Sequence, residues 1–567
     1  MSASSLHCSR RAFLGTGLAA TALSAKPAVI DTSHFNFTPQ ERNVPKGVAR
    51  GINPGRVVWA RNPEATKWAG RWKLESDQWW TDANTDQDKV GAMLSACLRK
   101  LTSTTTDEDA WRAIFRYYHR RSRGLENVGY QAGETVAIKA NFNLSHTAKV
   151  DNLVDVSPQT TLAMVRQLVL HAHVAPADIL IYDARRAIAP AVLSKVWGEF
   201  KDVRFVQQDA PDGKQPHNPG YQGYHGLEGA DWVEGVTYSA GQYKNARLIP
   251  RQVMAATYIV NMALIKAHSY PWNFMEGGEE ARLGDQGQTG VTMTGKNHFG
   301  SILGTRELHD AIDTNVLAKG KTYSPMVDLA AAPNLGAKTV LFVLDGLFCA
   351  RKHMSYPLHF PNAPFHNRVT PYENPDWPAS ILASLDGVAL DSVGIDILHS
   401  QTIDNGDPQD NNRPRILLRE HTDDYLHEMA LADNPPSGTA YTQGGRRVSS
   451  LGVLEHWDAD ATRRYSRNQD REHGQGIELL YLPMTAAPVE TPVLSFAPGP
   501  GPSSRKITLR CATPVARIYY TIDGSVPTDR SIRYAGPAIV PSKATVRAIA
   551  MTDDLPDSQV ITQGAGG

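Results

Sequence analysis

Between residues 87 and 123, apolar residues recur at helical spacing: Val90, Met93, Leu94, Cys97, Leu98 and Leu101, then Trp111, Ile114, Phe115 and Tyr118. Two amphipathic helices with core-facing stripes are predicted there. From Thr135 the rhythm changes. TVAIKANFNL, DILIYDAR, VRFVQQD, TYIVNMALIKAH and TVLFVLDGLF are short apolar runs rich in β-branched residues, the pattern of buried strands. Between the first two, SPQTTLAMVRQLVLHAHV reads as a helix with Ser157 as N-cap and Pro158 at the first helical position. ASLDGVALDSVGIDIL reads as a loop entering a helix capped by Asp386. This alternation predicts an α/β core, a mostly parallel sheet with flanking helices. Upstream, the turn-rich stretch from Thr32 to Thr66 reads as loop. Downstream, TAAPVETPVLSFAPGPGPSSRK reads as a Pro/Gly/Ser linker, and KITLRC, ARIYYTIDG and ATVRAIAM alternate with period two. That alternation predicts a small C-terminal all-β sandwich.

These shifts divide the chain into an N-terminal signal (1–27), a helical and loop extension (28–130) and the α/β core (131–400). An extension packing on the core (401–485), the linker (486–506) and the sandwich (507–567) follow. The signal rests on Ser9-Arg10-Arg11-Ala12-Phe13-Leu14 followed by GTGLAATALSA, which looks like a twin-arginine export signal. The apolar run is too short to span a bilayer, so no stable membrane insertion is expected. The partner implied is the twin-arginine translocase, and the location periplasmic or secreted. A basic N-terminus on a cytosolic protein is the alternative.

Composition narrows the choice. Lys plus Arg and Asp plus Glu balance at 58 each among 567 residues, which argues against a nucleic-acid partner. The four cysteines, Cys8, Cys97, Cys349 and Cys511, are far apart and form no CxxC. Neither a cysteine-ligated iron–sulfur cluster nor a disulfide framework is expected.

Candidate chemistry gathers at strand ends. Lys139, Asp183, Lys266 with His268, and Asp345 each close an apolar run. Ligands of open α/β sheets bind beyond the carboxyl ends of strands. TGKNHFG adds Lys296, Asn297 and His298 between Gly295 and Gly300, with Asn141, Asn261 and Asn273 nearby in the motifs. Lys139, Lys266 and His268 are the catalytic candidates, with His268 as proton shuttle. Asn141, Asn261, Lys296 and Asn297 would hold an anionic substrate. Asp183, Asp345 and Asp391 would orient these groups or bind a divalent metal through oxygen. The plainer reading of Asp183 and Asp345 is as caps of a following helix or turn. Trp79 and Trp80 are read as core in preference to a sugar-stacking pair.

VAIKANF, VNMALIKAH and TGKNHFG, followed by SPMVDL, VLDGLF and SLDGVALDSVG, resemble domain-of-unknown-function family 362 over roughly residues 135–400. The TGKNHFG loop is one residue shorter than that family's pattern. Many members carry cysteine-ligated iron–sulfur modules, for which this chain lacks the cysteines. SLGVLEHWDADATRRYSRN is similar to a block that follows the domain in exported bacterial relatives, where the Leu454 position is usually His. IYYTIDGSVPT, RYAGP and ATVRAIAM resemble the C-terminal β-sandwich of chitobiases and β-hexosaminidases, an accessory of exported carbohydrate-active proteins. The resemblances imply no settled activity. Three functions stay open: an exported enzyme acting on an anionic or carbohydrate substrate, a non-catalytic glycan- or anion-binding envelope protein, and a metal-dependent redox protein without an iron–sulfur cluster.

Overall fold

The computed structural model describes residues 37–70, 76–143, 153–208, 226–268, 290–309, 323–350, 356–360, 362–365, 377–401, 418 and 420–565. The twin-arginine stretch and Asn273 lie outside the described residues. The first twelve strands are β1 (Lys46–Gly47), β2 (Arg56–Arg61), β3 (Val136–Lys139), β4 (Ile179–Tyr182), β5 (Arg204–Gln207), β6 (Leu227–Gly229), β7 (Trp232–Glu234), β8 (Leu248–Pro250), β9 (Tyr258–His268), β10 (Gly290–Thr292), β11 (Thr339–Ala350) and β12 (Ser380–Ser384).

A ten-stranded sheet runs in the order Glu478–Pro483, β2, β12, β11, β9, β3, β4, β5, β6, with β10 paired to the end of β9. From β11 to β6 each strand is parallel to the next, and Glu478–Pro483 is parallel to β2. β12 runs against both β11 and β2, and β10 runs against β9, so the sheet is mixed. Side chains alternate between two apolar layers, as strand geometry requires. Val57, Trp59, Ala137, Leu180 and Tyr182 face one layer; Val58, Ala60, Val136, Ile138, Ile179 and Ile181 face the other. The helices α1 (Gln87–Thr102), α2 (Asp107–Arg123) and α3 (Pro158–Arg166) cover the second face, and the helices Pro325–Ala331, Gly387–Ser400 and Asp424–Ala430 the first.

The covering helices begin where local chemistry starts them. Asp86 accepts from the Asp88 and Lys89 amides at the start of α1, and Thr106 from the Asp109 amide at the start of α2. Ser157 caps α3, with Pro158 in its first turn. The apolar stripe of α1, from Val90 to Leu101, is buried, as are Trp111, Ile114, Phe115 and Tyr118 of α2. Trp79 is buried too, its ring 5.0 Å from that of Phe348.

Three strands lie where the sequence reading placed loop or extension. RVVWAR is β2, SILAS is β12, and Glu478–Pro483 forms the sheet's first strand. Their short apolar runs are flanked by polar residues that look like loop. Arg56, however, is itself 5 % exposed and paired with Glu478. The stretch read as linker also contains strand Val493–Pro498 and the start of Ser504–Arg510, with Leu494 and Ile507 buried in the C-terminal core. The PGPGP run between them is only the turn. The C-terminal unit is all-β, a three-stranded and a four-stranded sheet sharing one apolar core.

Charge fastens that unit to the sheet. The Arg56 guanidinium donates to Glu478 Oε2 at 2.6 Å and to Asp529 Oδ2 of the C-terminal unit at 2.6 Å. Lys100 pairs with Asp557 and Arg471 with Asp553, and the Tyr481 amide donates to the Asp553 carbonyl at 2.7 Å. Arg56→Met takes the bonded cation from Asp529 and leaves Glu478 with Arg471 alone, at 2.9 Å, and is expected to cost about 3–5 kcal/mol in denaturant unfolding. Arg112→Met, at an exposed pair, is expected to change little. Equal losses in the two variants would contradict a buried clamp.

Candidate functional site

Because β3, β4 and β9 are parallel, their carboxyl ends share one edge of the sheet. Lys139 closes β3 and is 0 % exposed. Its ammonium donates to Asp183 Oδ2 at 3.1 Å, to Asn297 Oδ1 at 3.1 Å and to the Ala140 carbonyl. Each of its three N–H bonds therefore has an oxygen. Asp183 also accepts from the Phe142 amide at 3.2 Å and the Arg185 amide at 3.1 Å. Burial lowers the Lys139 pKa, and the Asp183 charge opposes that shift. The loop after β10 presses on this pair. A Cβ at Gly300 would lie 2.7 Å from both Lys139 Nζ and Asp183 Oδ1, so the glycine permits the close approach.

Lys266, near the end of β9, is also 0 % exposed, but its surroundings differ. Its amine donates to Asn141 Oδ1 at 3.1 Å and to Asn143 Oδ1. It makes no ion pair among the described residues. Burial pushes its pKa down to about 7; Asp155 raises it and Arg186 lowers it further.

Asparagines join the two lysines. Asn141 receives Lys266 on its oxygen and donates to Asn297 Oδ1 at 3.3 Å. Asn297 in turn donates to Asn261 Oδ1 at 2.8 Å and approaches the Lys139 carbonyl at 3.1 Å and the Met262 carbonyl at 3.2 Å. Asn261 donates to the Thr294 carbonyl at 3.0 Å and lies 3.4 Å from His298 Nε2. Burial, helped by the Lys139 charge, pushes the His298 pKa down to about 3, so that imidazole is neutral. Beside this chain, Lys296 Nζ stands 3.3 Å from His268 Nε2, and His268 Nδ1 meets Thr292 Oγ1 across the β9–β10 pair.

The short helix Thr294–Asn297, which carries Lys296 and Asn297, is held from below by Asp391. That carboxylate accepts from the Thr294 amide at 2.9 Å, the Thr294 hydroxyl at 2.6 Å, the Gly295 amide at 2.8 Å and the Tyr425 hydroxyl at 2.9 Å. Burial raises its pKa to about 6 against those bonds. Asp345 has another task. It accepts from the amide of Ser157, the N-cap of α3, at 2.8 Å and from the Leu347 amide at 3.0 Å.

Lys139, Asn141, Asp183, Asn261, Lys266 and Asn297 thus meet in one network, with Lys296 and His268 as an adjacent pair. Asp183, Asp345 and Asp391, expected to orient the lysines and His268 or to bind a metal, each hold a different partner. The three carboxylates serve a lysine, a helix start and a turn, and no group of three His, Cys, Asp or Glu that could hold a metal occurs among the described residues. Asp155, whose charge acts on Lys266, and Ser301, whose hydroxyl lies 3.2 Å from His298 Nδ1, belong to the site's surroundings but escaped the sequence reading. Asp155 sits between the buried Val154 and Val156, the one signal that marks it. The Glu455–Asn468 block lies elsewhere, and His456 docks it. Its ring nitrogens stand 2.6 Å from Asp396 Oδ1 and 3.1 Å from Asp423 Oδ2.

The folded-state pKa of Lys266, about 7, lies below its ordinary 10.5, so the unfolded chain binds the extra proton between those values. The resulting penalty is complete below about pH 7 and is relieved as pH rises from about 7 toward 10.5. Lys266→Met is expected to remove that slope. Lys139→Met, by leaving Asp183 buried without its cation, is expected to cost about 3–5 kcal/mol at neutral pH. Denaturant unfolding across this pH range measures both, and an unchanged slope in Lys266→Met would overturn the assignment.

Comparison with known families gives a match within the C-terminal unit. No curated protein matches the chain. Residues 497–562 match the family model described as the Chitobiase/beta-hexosaminidase C-terminal domain, a span that contains none of the network's residues.

Proposed function

We propose that this chain is an exported enzyme acting on an anionic or carbohydrate substrate, with its reactive groups at the carboxyl edge of the sheet. The observation that carries the reading is the contrast between its two enclosed lysines. A lysine retained for stability alone is best neutralised by a carboxylate, as Lys139 is by Asp183 at 3.1 Å. Lys266 is held by amide oxygens, which orient an amine whichever way it is protonated. An amine with a pKa of about 7 can accept or return a proton at neutral pH. Perturbed groups of this kind concentrate at functional sites.

In this reading Lys266 is the acid–base group, with His268 and Lys296 as the neighbouring proton carrier and anion-holding cation. Lys139, Asn261 and Asn297 position the loop, and Asn141 couples it to Lys266. The residues that carry the resemblance to domain-of-unknown-function family 362 are largely those of the network, which supports a common role for them. The twin-arginine stretch supports export to the periplasm or beyond. The match of residues 497–562 supports a saccharide as the substrate class. The enclosure of both lysines favours a second reading, a non-catalytic anion-binding protein.

Incubation with uronate- and sulfate-bearing oligosaccharides, followed by mass spectrometry of products, separates the two. An enzyme is expected to form product at a rate rising with pH through about 7. Turnover is expected to fall about 10²–10⁴-fold in Lys266→Met. A ligand that binds without yielding product, and binds more weakly to Lys266→Met, would establish the binding protein instead.

A further inference from the structure

Residues 235–247 join β7 to β8 without helix or strand, yet residues 235–239 and 245–247 are held by hydrogen bonds. The Gly235 amide donates to the Arg247 carbonyl at 3.0 Å, and the Tyr238 hydroxyl to the Ala246 carbonyl at 2.9 Å, so the ends of the loop lie together. This is the form of a compact Ω-loop, a type that is frequently functional. Two carboxylates from other parts of the chain order it. Asp328, 0 % exposed on helix Pro325–Ala331, accepts from the Ser239 amide at 2.9 Å and hydroxyl at 2.6 Å. The same carboxylate takes Gln443 Nε2 at 3.0 Å and the Tyr323 hydroxyl at 2.7 Å. Glu307 accepts from the Asn245 and Ala246 amides, each at 3.0 Å to Oε2. Committing a fully buried carboxylate to an irregular loop leaves its outer surface pre-organised.

That surface walls a cleft of about 830 Å³. The size is that of small-molecule sites, which span about 300–1,000 Å³. The Tyr238 and Tyr243 rings meet edge-on inside it, with centroids 4.7 Å apart and planes at 69°. Because the Tyr238 hydroxyl is bound, its ring is fixed and in turn supports Tyr243. Gly241, at φ +79°, brings the loop backbone so close that a Cβ would lie 2.7 Å from the Tyr243 hydroxyl. Gln242 and Asn334 bring amide groups to the wall. Lys244 is exposed and makes no ion pair among the described residues, while Arg247 pairs with Glu234. Two cations therefore face one carboxylate.

We infer that this cleft is a second binding site, specific for an acidic saccharide. A sugar ring would lay its C–H face on Tyr243, its hydroxyls would meet the amides of Gln242 and Asn334, and its carboxylate or sulfate would sit beside Lys244. The site is separate from the Lys266 network, since none of that network's residues lines the cleft.

Calorimetric titration of the full-length protein with trigalacturonate, a heparin tetrasaccharide and neutral cellotriose tests the inference. One of the two acidic probes is expected to bind, and Tyr243→Ala and Lys244→Ala each to weaken it by about tenfold or more, roughly 1.4 kcal/mol. Lys266→Met is expected to leave that binding unchanged. Should Tyr243→Ala prove misfolded by thermal unfolding, Lys244→Ala carries the test, because its side chain is exposed. No binding of either acidic probe at millimolar concentration, equal binding of cellotriose, or indifference to Lys244→Ala would each overturn the inference. Loss of binding in Lys266→Met would assign the saccharide to the sheet-edge network and refute the cleft while leaving the proposed function standing.

Discussion

An ammonium group removed from water must have its hydration replaced, and the Lys139–Asp183 pair is where this structure meets that requirement most directly. The pair ties the end of β3 to the residue after β4, at a separation of 3.1 Å with both side chains enclosed. Gly300 fits against it, Asn297 bonds to it, and through Asn297 the loop after β10 is registered on β9. A second lysine buried at the same edge has no such counter-charge bonded to it among the described residues. The sheet thus holds one amine against a carboxylate and the other against amide oxygens, and the functional reading grows from that asymmetry.

The same device, a buried carboxylate gathering backbone amides, organises irregular segments elsewhere. Asp386 accepts from the Val388 and Ala389 amides at 3.1 and 3.0 Å, which starts a helix. It also accepts from the Arg50 amide at 2.8 Å and the Val453 amide at 3.1 Å, which gathers two distant segments. Burial raises both Asp386 and Asp391 to about 6. Asp328 does for the β7–β8 loop what Asp391 does for the turn carrying Lys296. Each carboxylate serves as a hub where the chain has neither helix nor strand to satisfy its amides.

Legibility from sequence follows the range of the interaction. The stripes of α1 and α2 and the runs of β3, β4, β9 and β11 are local periodicities, and a polar residue closing parallel strands marks a shared edge. Lys139, Asp183 and Lys266 could therefore be brought together without coordinates. The roles of Asp345 and Asp391 could not, because a carboxylate at a strand end or inside a helix is equally suited to a metal, a lysine or an amide, and only tertiary contact decides. Arg56 hid β2 for a related reason: an arginine reads as surface until its partners, Glu478 and Asp529, arrive from more than 400 residues away in the chain. Asp155 stayed hidden because it precedes a helix cap, where an acid attracts no notice.

The claim on which the account rests is that Lys266 is an enclosed amine that changes protonation near neutral pH. Nuclear magnetic resonance of protein carrying ¹³Cε-lysine, with Lys266→Arg used to assign the signal, measures that property directly. The account requires one ε-carbon resonance, absent from the variant, that titrates with a midpoint near 7. A Lys266 signal that titrates with the bulk lysines, near pH 10.4, would contradict it.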